Sequence, residues 1–414
     1  MSPLVVLTVL LVAAYLGTFL FGGRLIRGRG LASGAEFLVL GFLAGPEMLG
    51  LVGPELLAAF RPLTLVAIGW VALEVGLEYG FVGQRRIPLG HLALGILGGL
   101  ATAALVAAAL GGLLHWLDPA AGPFLRSREH LLLAAGAGIA LAETTRHVVR
   151  WAVERHGAAG PLTGVLLGVT DADDLVPLVG AGLLFALFPA GPAPWVQGPG
   201  GWLGVTAVLG AVLGVVGAVL LGRDFRSNTL WGVLFGTSLM AVGMAARLDL
   251  AAVAVAFAMG LALALTSRHR ARIREAAASI ERPVLLPTLL IAGASIDLSS
   301  HPGLPLLAAA AIGARLTGKW LEGLALLAGS PATRRAGPLL GLGLASSGAV
   351  SVTVGLAFAL RFPGPIGSTI LALAAAAAVA GEFIGPAALR ASLRRAGELP
   401  EPAPAEAEAA ATRP

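Results

Sequence analysis

The stretch GVLLGVTDADDLVPLVGAGLLF, residues 164–185, places three acidic residues between two apolar runs. Asp173 and Asp174 are adjacent, Asp171 lies two positions before them, and Pro177 follows within one turn. A charge at the bilayer centre costs about 2.5–3.5 kcal/mol on insertion scales, so ionisable residues inside a membrane span are functional candidates. A dry carboxylate can take a proton and a metal cation in turn, which is the chemistry that the adjacent pair suggests. The structural alternative is a helix end facing water, and it is stronger for Asp171 than for the pair.

The rest of the chain has the composition of an integral membrane protein. It is 57% hydrophobic and only 12% charged, whereas soluble domains carry roughly 25% charged residues. The absence of cysteine excludes disulfides, thiol catalysis and cysteine-based metal sites. The net charge of +5 comes with arginines in short loops between apolar runs, so we expect a lipid bilayer as partner and no nucleic acid. No segment is large enough for a soluble nucleotide or enzyme domain, and neither a Gly-x-Ser-x-Gly nor an HExxH motif occurs. We therefore expect no enzyme activity, no nucleotide and no cofactor.

The apolar runs predict an all-α polytopic membrane protein with about thirteen spans, since a span needs about 20 mostly apolar residues. The predicted spans are 3–22, 35–52, 63–82, 88–114, 131–149, 161–189, 202–222, 229–246, 250–266, 284–298, 303–328, 338–360 and 366–389. Loops after odd-numbered spans hold 19 arginines and the others hold 5. Because basic residues accumulate on the cytoplasmic side, we expect a multi-pass protein of the inner (plasma) membrane, with the N-terminus outside and the C-terminus in the cytoplasm. The basic stretch 267–283 is predicted to form a short amphipathic helix on the inner surface.

The eleventh span, AAAAIGARLTGKWLEGLALLAG at 308–329, holds the only lysine of the chain, Lys319. A buried lysine can release its proton, whereas an arginine effectively cannot. We therefore expect Lys319 to pair with a carboxylate and to part from it when a cation binds there. Local pairing with Glu322, or extension of the side chain to the membrane interface, is the structural alternative. Arg315, one turn earlier, is a weaker candidate because its charge is fixed.

Spans five and twelve carry polar and small residues in otherwise apolar runs, GAGIALAETTRHVVRW at 136–151 and GLGLASSGAVSVTVG at 341–355. Unwound backbone inside a membrane must be satisfied by side chains, water or ions, so these spans are predicted to be broken helices. Ordinary packing of small residues is the alternative. The accessory candidates for ion binding are Asp171, Glu143, Ser346 and Ser347.

The order of these spans is the order expected of two inverted repeats, because the acid-bearing span follows one break and the lysine-bearing span precedes the other. Glu74 and Glu78 share a helix face and are predicted to line a cytoplasmic funnel or a subunit contact, with a helix end as the alternative. The predicted organisation is an N-terminal helix and loop (1–34), a first repeat (35–189), linker helices with a basic loop (190–283), a second repeat (284–390) and a disordered cytoplasmic tail (391–414).

Six segments, in this order, resemble motifs of the monovalent cation/proton antiporter family, which has the sodium/proton exchanger fold. They are FLVLGFLAGPEMLGLVG (37–53), EVGLEYGF (74–81), TDADDLVPLV (170–179), LLPTLLIAGASIDL (285–298), GARLTGKWLEGL (313–324) and GLGLASSGAVS (341–351). The resemblance covers roughly residues 35–390 and is closest to the branch with an Asp-Asp pair and an intramembrane lysine. It implies a homodimer with a dimerisation domain, a core domain that moves as an elevator, and electrogenic exchange of two protons per sodium ion.

Residue by residue, the resemblance implies that Asp174 binds the Na⁺ and the proton. It implies that Asp173 pairs with Lys319 when no cation is bound. It also implies that Thr144, or next Thr145, supplies an oxygen near the ion.

The sequence departs from the family pattern at several positions, which bear on the identity of the cation and on the proton stoichiometry. These are Glu143, Arg146 and His147 in the first crossing segment, Ala349 in the second, and the extra Asp171. The sequence thus predicts a secondary antiporter that exchanges Na⁺, or else Li⁺ or K⁺, for H⁺. The alternatives are a sodium-coupled organic-anion symporter of the related inverted-repeat architecture and a non-transporting ion sensor.

Overall fold

The structure is a computed structural model that describes residues 34–80, 88–118, 126–189, 196, 198–223, 227–329 and 331–400. The described residues form helices and no β-strand. The helices are α1 (Ala35–Ala44), α2 (Pro54–Gly80), α3 (Leu89–Leu117), α4 (Arg128–Ala140), α5 (Arg146–His156), α6 (Pro161–Asp173), α7 (Leu175–Leu187), α8 (Gly198–Arg223), α9 (Ser227–Arg247), α10 (Ala252–Thr266), α11 (Arg270–Ser279), α12 (Glu281–Ala294), α13 (Leu304–Gly329), α14 (Leu340–Gly343), α15 (Ala349–Arg361) and α16 (Pro365–Ala396). The predicted first span, 3–22, lies outside the described residues.

The helices pack in two groups. The first, called the panel here, consists of α1, α2 and α8–α12, with α10 packed between α2 and α8 and with α1 on α12. The second, called the core group, consists of α3–α7 and α13–α16, with α3 packed against α4, α6 and α13, and α15 packed on α16. Large apolar side chains are exposed on the outer faces of the panel, as expected for helices that face lipid.

Reciprocal glycine contacts hold the panel helices close together. A Cβ atom at Gly76 of α2 would lie 2.2 Å from the carbonyl oxygen of Phe257, and one at Gly260 of α10 would lie 2.2 Å from that of Leu73. Lipid tails are as apolar as the helix surfaces, so membrane helices associate through close packing, which small residues permit. The panel is therefore a stiff layer whose spacing is set by glycine.

Three spans are interrupted where the sequence is polar. The breaks at 141–145, between α4 and α5, and at 344–348, between α14 and α15, confirm the prediction of broken helices in spans five and twelve. A third break, which the span prediction lacked, falls at Asp174 between α6 and α7. Pro177 has no N–H to donate to the carbonyl of Asp173, so the helical hydrogen-bond ladder is open beside the acid pair.

Five of the described helices are each long and apolar enough to cross a membrane, and the bent pair α11–α12 would make a sixth. The remaining candidates are short, interrupted or, in the case of α13, carry several charged residues, so the count of thirteen spans stays a prediction. The basic stretch 267–283 does contain a helix, α11, and its Ile273 and Ala277 are buried in the panel.

The last helix continues beyond the predicted second repeat. α16 runs to Ala396, and Glu398 then lies at the start of α6, where its carboxylate accepts hydrogen bonds from the Leu162 and Thr163 N–H groups at 2.6 and 2.7 Å. A carboxylate there satisfies amides without helical partners and complements the helix dipole. Residues 391–400 thus belong to the packed fold and not to the tail predicted from 391, and residues 401–414 lie outside the described residues.

Replacing Gly76 by alanine should lower the apparent melting temperature of the detergent-solubilised protein, measured by tryptophan fluorescence. The new Cβ would overlap a backbone oxygen that cannot move alone, and overpacking of this kind costs about 1–3 kcal/mol. The control is Gly243→Ala on α9, where a Cβ would meet open space and where alanine is the better helix former. Equal melting temperatures for both variants would show that the α2–α10 contact does not limit stability.

Candidate ion-binding site

The acid pair lies in the interior of the core group. Asp173 and Asp174 are 0% and 2% exposed, which excludes a helix end facing water. Lys319 on α13 donates a hydrogen bond of 2.8 Å from Nζ to Asp173 Oδ2, and neither side chain exposes any surface. Lys319 also donates to Glu322 Oε2 at 2.9 Å, so the predicted pair and its local alternative are both present. The structure thus brings one ammonium group between two carboxylates.

Asp174 faces a cavity between the core group and the panel. Other titratable residues of its lining are Glu74, Glu143, Arg146, His147 and Glu281, and Thr145 also lines it. An ion in this cavity would be in contact with Asp174, whereas Asp173 does not line the cavity. Asp171, 9% exposed, is not among the lining residues, and its role as an accessory ligand stays a prediction.

The two unwound segments contact each other next to Asp173. The Thr145 N–H donates to Ser346 O at 3.0 Å, and the Thr144 hydroxyl donates to Leu344 O at 3.0 Å. Glu143 Oε1 accepts from the N–H groups of Gly348 at 2.7 Å and Ser351 at 3.1 Å. A single carboxylate from the first break therefore caps the helix that begins after the second.

Arg315 satisfies the carbonyl groups that the breaks leave without helical partners. Its guanidinium donates to Leu141 O, to Glu143 O at 2.7 Å and to Ala345 O at 3.2 Å, and the residue is 2% exposed. Backbone at membrane depth needs such partners because water is scarce there. The sequence ranks Arg315 as a weaker ion-site candidate, whereas its contacts make it a structural clamp on the crossing.

The predicted oxygen donors occupy different positions. Thr144 lies beside Asp173, and its hydroxyl is within hydrogen-bonding reach of both that carboxylate and the Leu344 carbonyl, whereas Thr145 lines the cavity with Asp174. Ser346 and Ser347 are both fully buried in the second break. Ser346 donates weakly to Gly381 O at 3.4 Å, and the Ser347 hydroxyl has no hydrogen-bond partner within the described residues.

A charged cluster closes the cavity at the end of α2. Arg146 Nη1 lies 2.5 Å from Glu78 Oε2, and Arg150 Nη2 lies 3.4 Å from Glu78 Oε1. His147 Nε2 lies 3.2 Å from Glu281 Oε1, and Arg146 Nη2 lies 4.0 Å from the same oxygen. α5 belongs to the core group and the two acids to the panel, so these ion pairs join the two groups. Glu281 lies at the end of a basic stretch of sequence, and no pattern there marks one acid as the partner of a distant helix.

Comparisons with known proteins agree with this architecture. The family model described as "Sodium/hydrogen exchanger, transmembrane" matches residues 10–391. The structure is similar to that of the sodium proton antiporter MjNhaP1 from Methanocaldococcus jannaschii at pH 8, with a TM-score of 0.68 and 16% identity, over 96% of this chain and 99% of that chain. No curated protein sequence matches. These findings favour antiport over the symporter and ion-sensor alternatives.

Glu143→Ala should lower the stability of the protein more than Glu143→Gln does. Alanine leaves two buried N–H groups without an acceptor, at about 1–3 kcal/mol each, whereas glutamine retains a carbonyl oxygen. Thermal unfolding in detergent measures the difference, and Glu129→Ala, at an exposed position at the start of α4, is the control. If the alanine and glutamine variants melted together, Glu143 would not be what joins the two breaks.

Proposed function

Because the chain belongs to the sodium/hydrogen exchanger family and is therefore a multi-pass membrane cation/proton antiporter, we propose that its cation is Na⁺ and that Asp173, Asp174 and Lys319 carry out the exchange. The observation that supports this proposal most is the Lys319–Asp173 ion pair, fully buried and 2.8 Å long, next to an acid that faces a cavity. A pair in such a place is costly to form and strongly destabilised when one partner is lost. In the proposed mechanism this pair opens and closes during the transport cycle.

The exchange follows from competition for the same oxygens. Without a cation, Asp174 holds a proton and Asp173 is neutralised by Lys319. A cation that enters the cavity displaces the proton from Asp174 and attracts Asp173 away from the ammonium group, and Thr145 supplies a further oxygen. Adjacent carboxylates titrate as one unit, so cation and protons exclude each other on the pair. Hard oxygen ligands of this kind suit Na⁺, with Li⁺ and K⁺ as the other candidates.

The two helix groups suit an elevator mechanism, with the panel as the static part. The core group contains the two crossing breaks at 141–145 and 344–348, the acid pair and Lys319, so it can carry the bound ion as one body. Its described contacts with the panel include the Arg146 cluster at one end and, at the other, hydrogen bonds from Arg361 to Asp249 and from Arg61 to Leu360 O. We assign the homodimer contact to the panel and propose electrogenic exchange in the inner membrane, with the C-terminus in the cytoplasm as the arginine distribution indicates.

Asp174→Asn should abolish Na⁺-dependent proton movement in proteoliposomes, measured with a pH-sensitive dye in the lumen. Asparagine keeps the size and polarity of the side chain but cannot take up or release a proton. The matched control is Glu154→Gln, which makes the same chemical change at an exposed position of α5 and should leave the exchange rate unchanged. Full exchange by Asp174→Asn would rule out this acid as the shared ligand.

Linking the panel to the core group should stop transport reversibly. The chain has no cysteine, so Arg61→Cys with Leu360→Cys introduces one reactive thiol on α2 and one on α15, at positions in contact. A short bis-methanethiosulfonate reagent should abolish exchange in this double variant, and a reductant should restore it. Each single variant with the same reagent is the control, and continued exchange by a fully cross-linked double variant would contradict an elevator motion at this contact.

A further inference from the structure

Glu322 is a buried carboxylate that shares Lys319 with Asp173, and neither the acid-pair motif nor the family resemblance assigns it a role. It lies one turn after Lys319 on α13, is 4% exposed, and shares the ammonium group with Asp173. Its second oxygen, Oε1, has no hydrogen-bond partner within the described residues. An ordinary surface pair at this spacing would contribute a few tenths of a kcal/mol and would lie in water. The Glu322 contact lies in the interior instead.

The neighbouring helix provides the space that Glu322 occupies. A Cβ atom at Gly98 of α3 would lie 2.3 Å from Glu322 Cδ and 2.7 Å from its Oε1. The next residue of α13, Gly323, packs closely on α14, where a Cβ atom would meet the backbone N of Gly341 at 2.3 Å. The carboxyl group of Glu322 is thus held in a close-fitting pocket that any side chain at residue 98 would fill.

The charges around Lys319 do not balance unless acids in this cluster carry protons. The neighbouring Arg315 and Glu143 offset each other, and the Arg315 guanidinium is directed to backbone carbonyls. Three acids, Asp173, Asp174 and Glu322, then remain against one ammonium group. The cluster is neutral when two of these three acids are protonated, so in the absence of a cation it can hold two protons.

We propose that Glu322 carries the second proton of the exchange cycle and that Lys319 remains an ammonium group throughout. In the proton-loaded state Asp174 and Glu322 are protonated, and Asp173 is paired with Lys319, so the net charge is zero. When Na⁺ binds the aspartates, Asp174 and Glu322 each release a proton and the ammonium group turns to the Glu322 carboxylate. The site then holds three carboxylates, Na⁺ and the ammonium group, a net charge of −1, and two protons have left for one cation. This inference rests on the proposed function and replaces only the carrier of the second proton.

The test is the number of protons exchanged per Na⁺, the coupling ratio, in the variants Glu322→Gln and Lys319→Arg. Each variant removes one of the two groups that can carry the second proton. The membrane potential at which a fixed Na⁺ gradient drives no proton flux in proteoliposomes gives the ratio. We expect two protons per Na⁺ for the unmodified protein and one for Glu322→Gln. For Lys319→Arg we expect slower exchange in which the ratio is still two, because arginine cannot release a proton and the second proton is not carried at that position. A ratio of two for Glu322→Gln with one for Lys319→Arg would assign the second proton to the lysine and overturn the proposal.

A binding measurement covers the case in which a variant folds but does not transport. Calorimetric titration with Na⁺ in buffers of different ionisation enthalpy counts the protons released per bound cation in detergent. We expect two for the unmodified protein and for Glu322→Asp, which keeps a titratable group, and one for Glu322→Gln. Release of two protons by Glu322→Gln would overturn the proposal.

The same measurements separate this inference from the proposed function. If the unmodified protein neither binds Na⁺ nor moves protons with it, the proposed function fails. If the unmodified protein exchanges one proton per Na⁺, antiport stands and the assignment of a second proton to Glu322 is overturned.

Discussion

The packing of the core group depends on the two ion pairs that the ammonium group of Lys319 makes with Asp173 and Glu322. Taking an ion out of water costs several kcal/mol even after the protein relaxes, and only close partners offset that cost. α13 is therefore attached to α6 by a buried ion pair, which in the proposed mechanism the transported ion disturbs. A cation or a proton on these carboxylates changes how strongly two helices of the core group attract each other.

Two kinds of cation serve two purposes in this site. Arg315 has a fixed charge and a planar, forked guanidinium, which suits the three backbone carbonyls that it holds at the crossing of the breaks. Lys319 presents a compact charge on a flexible stem, which can turn from one carboxylate to another. The crossing, joined further by Glu143, thus stays rigid while the charges beside it rearrange.

Sequence alone identifies the residues of the site whose placement inside a membrane costs free energy whatever the orientation of the side chain. Asp173, Asp174 and Lys319 stand out in apolar spans because a charge inside a membrane is expensive with any partner. The partners of Arg315 are carbonyl groups, which every residue has, so no pattern marks them. The break at Asp174 does have a signal, Pro177, whose missing N–H opens the ladder at that carbonyl. Lys319 contacts both Asp173, which is 146 positions away in the sequence, and Glu322, which is three positions away. Only the fold brings the distant acid to the lysine, so the sequence cannot show that both contacts form.

The contact between panel and core group combines apolar packing in the middle with polar contacts at the ends. Apolar contact is non-directional, so small side chains such as Ala292 and Ala349 can slide past their neighbours at little cost. The Arg146 pairs and the Arg361–Asp249 pair have defined partners and must break when the groups shift. The Arg361–Asp249 pair is partly exposed and therefore weak, whereas the Arg146–Glu78 pair is largely buried and is costly to break without a replacement partner. Within the panel, by contrast, glycine brings backbone against backbone, and a slide there would drive Cα atoms into carbonyl oxygens. The positions of the small residues and of the charges thus support the proposed motion between the groups and account for the close packing within the panel.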